Sequence, residues 1–413
     1  MTEEELYKIS GKAEERCREM FERTDSIALF NTKKVLDAFK KYRVSDSCFA
    51  GTTGYGYDDL GRETLDAVWA DVFGAEKALV RLDFVNGTHA ITAAVFALAN
   101  PGETMLSSTG VPYDTFNTVI GKDAGEYGTF KYYGIDHKVV GLRPDGNPDI
   151  PAIIKALRED RNIRTVLIQR SPGYSGRKAF SVSQIGEIIA AVREEDSSVR
   201  IFVDNCYGEF TEKTEPTQLG ADLIAGSLIK NPGGGLAPRG GYICGKEEFV
   251  EKAACRLTVP GLGGECGATL GNNRMLLQGL FMAPHTTAQA LKSMIFASSL
   301  LDLLGFEVLP SYDEERHDII QVIKLKTPEN LVNFCKGIQS ASPVDAYVSP
   351  EPSPMPGYDC DVVMAAGTFI QGATGELSAD GPMREPYNVY LQGGLTYESG
   401  KLCLLEAARS MMN

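Results

Sequence analysis

The chain has 413 residues, 43% of them hydrophobic, with 55 acidic and 41 basic side chains and a formal net charge of −14. That charge excludes broad nucleic-acid binding, because phosphate backbones demand a basic footprint. No run approaches the roughly 20 apolar residues of a membrane helix, and nine scattered cysteines and four histidines offer no zinc-ligand spacing.

The opening MTEEELYKIS is acidic and lacks an apolar stretch, so no secretory signal is expected and the protein is expected in the cytoplasm. The length exceeds what one compact core usually holds, which predicts a large domain plus a smaller one.

Residues 1–50 predict an N-terminal helical arm, with Ile27, Phe30, Val35, Leu36 and Phe39 setting a helical period. Gly51-Thr-Thr-Gly-Tyr-Gly-Tyr57 is too loose in propensity for a regular element. Arg62–Phe73 reads as a helix stopped by Gly74. Ala78–Val85 is strand-like, and Thr88–Leu98 is a helix ended by Asn100-Pro101-Gly102. Thr104–Ser108, Arg164–Gln169, Arg200–Asp204 and Asp222–Ala225 are further strands, with an amphipathic helix at Val182–Val192.

This alternation predicts an α/β domain over residues 51–290, its mainly parallel, seven-stranded sheet covered by helices on both faces. Ligands of such sheets bind beyond the carboxyl ends of the strands. Near residue 290 the character shifts to a helix at Ala288–Leu304, strands at Glu307–Leu309 and Ile319–Leu325, and a proline-rich surface loop, Ser349–Gly357. A smaller α+β domain is expected at 291–413.

Four features carry chemistry. Phe84-Val-Asn-Gly-Thr-His89 runs from a strand into a helix across Gly87, and free N–H groups there, with the Thr88 hydroxyl, suit a phosphate. Helix capping alone also explains Gly-Thr at such a turn. Asp204 ends an apolar strand, where a carboxylate reaches a ligand or simply caps a turn. Ser227 and Lys230 follow a further short strand, placing a hydroxyl and an amine beside the same edge. A lysine in apolar company is expected to have a depressed pKa and to serve as nucleophile and base. Arg384, just before Val389-Tyr-Leu-Gln-Gly-Gly394, offers a guanidinium fork for a carboxylate. For Lys230 and Arg384 a solvated surface position is the competing reading.

In this order the features resemble fold-type I pyridoxal 5′-phosphate (PLP) enzymes of the cystathionine β-lyase and methionine γ-lyase group. The resemblance is strongest to its bacterial aluminium-resistance, methionine γ-lyase-like branch. It covers nearly the whole chain, on Gly54-Tyr-Gly-Tyr-Asp-Asp-Leu-Gly-Arg-Glu63, Val85-Asn-Gly-Thr-His89, Val203-Asp-Asn-Cys-Tyr207, Ser227-Leu-Ile-Lys-Asn-Pro-Gly-Gly-Gly235 and Tyr390-Leu-Gln-Gly-Gly394.

The resemblance implies a PLP-dependent carbon–sulfur lyase in which Lys230 forms the Schiff base and Asp204 pairs with the pyridine nitrogen. Gly87, Thr88 and Ser227 would hold the phosphate. Tyr113 would stack on the ring and assist the leaving group, and Arg384 would take the substrate carboxylate. His89 is a further candidate to stack on the cofactor, or else a packed residue of the helix start. Tyr55, Tyr57 and Arg62 would cross to a partner subunit's phosphate, so a homodimer or homotetramer with shared sites is expected. Ile229 stands where better-known lyases carry a threonine one residue before the lysine, and Tyr113-Asp114-Thr115 replaces their Tyr-Gly-Gly-Thr. Substrate choice therefore does not follow from the resemblance.

Rival readings remain. Asn86-Gly87-Thr88 is faintly similar to phosphate loops of fold-type I decarboxylases, without their His-Lys pair, and an aminotransferase also fits the cofactor. A non-enzymatic metal-stress protein is the third, although its acidic runs, such as Glu194-Glu195-Asp196, lack an ordered cation-loop pattern. Gly261-Leu-Gly-Gly-Glu-Cys-Gly267 lacks a dinucleotide setting, and Gly263 and Gly264 are expected at the site mouth or a subunit seam.

Overall fold

In the computed structural model, which describes residues 2–412 apart from 174, 356–358 and 373, seven short strands form the central sheet. They are β1 (Lys77–Arg81), β2 (Thr104–Ser107), β3 (Asp136–Val139), β4 (Ile163–Gln169), β5 (Arg200–Asp204), β6 (Leu223–Ser227) and β7 (Gly241–Gly245). Their spatial order is β1-β7-β6-β5-β4-β2-β3, and only β7 runs antiparallel to its neighbours. The central strands are buried on both faces, which is why β4 reads IRTVLIQ rather than alternating apolar with polar. The edge strand β3, DHKV, is largely exposed and carries charge that discourages further pairing.

The helices in chain order are α1 (Glu3–Lys41), α2 (Leu60–Phe73), α3 (Gly87–Leu98), α4 (Asp114–Ile120), α5 (Ile150–Glu159), α6 (Val182–Glu195), α7 (Glu247–Leu257), α8 (Asn273–Leu303), α9 (Pro328–Ala341) and α10 (Tyr397–Ser410). One face of the sheet packs Val166, Ile168, Ile201 and Val203 against Trp69 and Phe73 of α2 and Ile185 and Ile188 of α6. The other packs Leu167, Phe202, Leu223 and Ala225 against α3 and α7. The split follows from strand alternation: odd and even positions of one strand serve opposite cores. Helix α3, GTHAITAAVFAL, is apolar around most of its circumference because it lies between the sheet and α7.

Helix α1 opens with a capping box of Thr2 and Glu5 and carries Lys40 and Lys41 in its last turn, both favourable to the helix dipole. It runs as one 39-residue element along α8. Its buried stripe is Leu6, Ser10, Ala13, Cys17, Thr24, Asn31, Val35 and Ala38. Of the five residues expected to set its apolar face, Val35 is buried, whereas Phe30 and Leu36 are exposed. The face is chosen by what α1 meets: the Asn31 amide donates to the carbonyls of Phe210 and Glu212. Helix α2 ends as expected at Gly74, whose φ of 63° lies in the left-handed region.

A second sheet holds β8 (Glu307–Leu309), β9 (Ile320–Lys324), β10 (Val362–Ala365), β11 (Ser378–Pro382) and β12 (Asn388–Gln392) in the order β10-β11-β12-β9-β8, all antiparallel. Its core joins Ile323, Val363, Ala379 and Leu391 to α8, α9 and α10. Helix α8 passes without a break through residue 290, so both sheets lean on one continuous element. The predicted mainly parallel sheet with a smaller α+β unit is the architecture observed. Part of the proline-rich loop, residues 356–357, lies outside the described residues. Among those described, no helix is long and apolar enough to cross a membrane.

Candidate active site

A cavity of about 380 Å³ opens at the carboxyl ends of β4, β5 and β6, closed on its other side by the second sheet. Asn86, Gly87, Thr88, Tyr113, Gln169, Asp204, Ser227 and Lys230 border it from the large sheet, and Ile320, Tyr390 and Gln392 from the small one. The period of two explains the large-sheet side. Asp204 points to the face of Phe202, and Ser227 to that of Leu223 and Ala225, which is the face covered by α3.

Helix α3 begins at this edge. Its N-cap Asn86 accepts from the His89 N–H at 2.9 Å, and the remaining first-turn donors of Gly87 and Thr88 belong to residues that border the cavity. The helix start approaches β6 so closely that a Cβ on Gly87 would lie 2.9 Å from the Ser227 Cβ. A side chain there would push apart the start of α3 and the end of β6, which border the cavity together. Thr88 Oγ1 and the Tyr113 hydroxyl share a hydrogen bond at 3.2 Å. Burial, with the nearby Asp204 charge, pushes the Tyr113 phenol well up, so it stays protonated at neutral pH.

Asp204 is 6% exposed. Burial pushes its carboxyl up to about 6, against the opposing pull of Cys206 hydrogen bonds and the Lys230 and Arg177 charges. The Cys206 N–H donates to its Oδ1 at 3.1 Å. Behind it, Arg170 fastens the strand end: its N–H donates to the Asp204 carbonyl at 3.1 Å and its guanidinium to Asn205 Oδ1 at 2.8 Å and Glu212 at 2.7 Å. Arg170 is fully buried, and its charge is matched by Glu212 and Glu215.

Lys230 Nζ lies 3.6 Å from the centroid of the Tyr207 ring. Burial disfavours its ammonium form, but Tyr207, Cys206 and Asp204 outweigh that and hold its proton affinity above an ordinary lysine's. The depressed pKa expected from sequence is thus not found, because the surroundings of Lys230 are polar on the side that matters.

Several expected residues lie elsewhere. His89 is absent from the cavity wall: its Nδ1 accepts from the Val85 N–H at 3.2 Å, and its ring meets Phe84 edge-on. It is one residue past Thr88, and the helical turn of about 100° per residue carries it off the cavity face. Arg62 is 2% exposed and donates to the carbonyls of Gly56, Gly267 and Glu265, so it fastens two loops of its own chain and does not reach outward. Those loops present Tyr55 and Tyr57, both exposed and stacked on each other at 5.8 Å, outside this chain's cavity.

Gly263 and Gly264 border a larger cleft of about 1000 Å³, together with Arg62 and the Asp66–Arg81 ion pair, away from Lys230. Arg384 lies in the turn after β11, exposed and paired with Asp359 at 3.2 Å. The cavity is reached instead by Gln392, at the opposite end of β12, roughly 13 Å of strand away. Arg384 thus lies off the cavity wall, although its charge bears on the Tyr390 hydroxyl that borders it.

Sequence reasoning passed over Gln169, Ser171, Cys206, Tyr207, Ile320, Met355, Tyr390 and Gln392, all of which border the cavity. Gln169 ends β4 as Asp204 ends β5, so the strand-end rule that found one could have found the other. The small-sheet residues carry no comparable signal.

Residues 6–412 match the methionine gamma-lyase family. The chain belongs to that family. It is similar to a carbon–sulfur lyase involved in aluminium resistance from Clostridium novyi NT, with 50% identity, a TM-score of 0.95, and coverage of 99% of this chain and 96% of that one. A Clostridium acetobutylicum protein, provisionally described as a cystathionine beta-lyase involved in aluminium resistance, is 49% identical, with a TM-score of 0.96 and coverage of 99% and 96%. An uncharacterized Bacillus subtilis protein, YnbB, is 46% identical over 408 residues, which are 98% of this chain and 96% of its own. The fold-type I architecture implied by the sequence resemblance is present. It extends to a pyridoxal-5′-phosphate dependent Escherichia coli protein only 18% identical, with a TM-score of 0.62 over 93% of this chain and 96% of that one, a likeness of fold alone.

Proposed function

We propose that this member of the methionine gamma-lyase family is a cytoplasmic, PLP-dependent carbon–sulfur lyase. It would cleave sulfur-containing amino acids to a 2-oxo acid, ammonia and a thiol. One observation carries the reading: a buried amine, a buried carboxylate and a helix N-terminus, from three separate elements, border a single cavity.

These residues fit the three chemical ends of the cofactor. The first turn of α3, with the Thr88 and Ser227 hydroxyls, suits a phosphate. Asp204 suits a positively charged ring nitrogen, and Lys230 supplies the amine for covalent attachment to the aldehyde. When bound, the cofactor supplies an electron sink for the electrons released at the substrate Cα.

The protein's own groups then divide the work. Lys230 would serve as the base when its amine is neutral, and its high proton affinity would then favour removal of the substrate Cα proton rather than hinder it. The protonated Tyr113 hydroxyl, held by Thr88, is the donor available to a departing thiolate. Ile229, Ile320 and Met355 give the sulfur side chain an apolar wall. A homodimer or homotetramer, in which Tyr55 and Tyr57 meet the partner's cavity, accounts for two stacked tyrosines left exposed on a fastened loop.

The test is an absorbance spectrum of the purified protein, then addition of L-methionine, L-cystathionine and L-cysteine with a keto-acid assay. A yellow protein that yields 2-oxo acid and thiol from at least one of them is expected. A colourless protein that takes up no added PLP would reject the reading. Carbon dioxide release without 2-oxo acid would move it to decarboxylation.

A further inference from the structure

Tyr207 stands against the reacting amine in a way the functional reading has not used. The 3.6 Å approach of Lys230 Nζ to its ring centroid is well inside the range at which a π face attracts a cation, and the Tyr207 hydroxyl is hydrogen-bonded to the same amine. The contact is built into the backbone. Tyr207 has a φ of 69°, a conformation that side-chain-bearing residues rarely adopt. It is held there by Asn231, whose amide donates to the carbonyls of Tyr207 at 2.8 Å and Glu209 at 3.0 Å. Asn231 directly follows Lys230, so one loop both carries the amine and clamps the tyrosine beneath it. Beyond the ring, Ala290, Leu291 and Ile319 pack against Tyr207 and fix it from the side of the second sheet.

We propose that Tyr207 is a positioning residue for proton transfer, its ring face holding the Lys230 ammonium after that amine has taken the substrate's Cα proton. The timing rests on the function proposed above; the contact does not. A π face attracts an ammonium but has little hold on a neutral amine, so it acts when Lys230 is charged and not while the lysine is covalently attached. Asp204 and Cys206 also bear on this amine. The proposed reading commits Asp204 to the ring nitrogen, and burial keeps the Cys206 thiol protonated. The aromatic face adds stabilisation from beside the amine, with the buried Asp380 of β11 bearing on Tyr207 itself. No proton passes to the ring, so Lys230 keeps it for return to substrate or product.

Three variants test this: Tyr207→Phe, which keeps the face, and Tyr207→Leu and Tyr207→Asn, which remove it; asparagine also tolerates the positive φ should leucine fail to fold. Trace acetylation of the full chain across about pH 7 to 11, with Lys230 read by mass spectrometry, reports its ammonium equilibrium without any cofactor. Exchange of the substrate Cα hydrogen with solvent, followed by NMR on the PLP-loaded enzyme, reports the step itself. Loss of the face should raise the fraction of neutral Lys230 roughly fivefold to tenfold at a given pH and slow exchange by a similar factor, with Tyr207→Phe, which loses only the hydroxyl's hydrogen bond, falling between these variants and wild type. Wild-type labelling and exchange in both ring-deletion variants would overturn the inference while leaving the lyase reading intact. The expected labelling shift in a protein that binds no PLP would uphold the contact and reject the lyase reading instead.

Discussion

The cavity has two walls of opposite chemistry. The large sheet supplies an amine, a carboxylate and hydroxyls, in Lys230, Asp204, Ser227 and Thr88, each at a strand end or a helix start. The second sheet borders it, among the described residues, with the uncharged Ile320, Tyr390 and Gln392, and keeps its charge one step back in the buried Asp380, which bears on Tyr207. A parallel sheet gathers several strand ends and helix N-termini at one edge, so it concentrates groups that bind and move charge. An antiparallel sheet has no such privileged edge, and here it closes the chamber. On the proposed reading, chemistry belongs to the first wall and selection among substrates to the second.

The strongest challenge to that division is Lys230→Ala. Loss of both the attachment point and the base should abolish the cofactor absorbance and lower turnover by about 1000-fold or more. Near-wild-type activity would remove the charged wall from the chemistry. Mixing Lys230→Ala with Tyr55→Ala subunits should restore activity that neither has alone if sites are shared; no recovery in mixed oligomers would confine each site to one chain.

Asp204 gives the next effect, through pH. Its carboxyl is pushed up to about 6 in the chain itself. The ionised form, which suits a cationic ring nitrogen, therefore dominates above that value and is lost below it. PLP affinity should hold steady above about pH 6 and weaken as pH falls through it, by at most about tenfold per unit. In Asp204→Asn the affinity should be lower and this dependence absent. Equilibrium binding between about pH 5 and 8, followed by absorbance, checks both, and an unchanged slope in the variant would detach Asp204 from the cofactor.

The smallest effects test the uncharged wall. Gln392→Leu removes a polar group that borders the cavity and should raise KM about tenfold, with kcat little changed. Arg384→Ala should leave kcat/KM within about twofold and stability within about 1 kcal/mol, since among the described residues its ion pair is an exposed one with Asp359. A hundredfold rise in KM for Arg384→Ala would return that arginine to the substrate carboxylate and place the wall elsewhere.

How much of this was legible varied along the chain for physical reasons. Strands β4 and β5 were readable because central parallel strands are continuous apolar runs, and their ends located Asp204. Strand β7, GYICG, escaped notice because three residues between two glycines carry no period of their own and are ordered by β1 and β6 on either side. The single span of α8 was underestimated because Pro284 reads locally as a break, whereas its flanks are held by packing against α1 and the second sheet.

The sequence by itself determined the order of alternating strands and helices, the Gly87–Thr88 helix start, and the placing of Asp204, Ser227 and Lys230 near strand ends. These follow from contacts a few residues apart. Only the tertiary structure decided that Tyr207 lies under Lys230, that His89 turns away, that Arg62 faces inward, and that Gln392 rather than Arg384 reaches the cavity. Each depends on where one element meets another, and those meetings are set by the packing of two sheets around a shared helix, which no local pattern encodes.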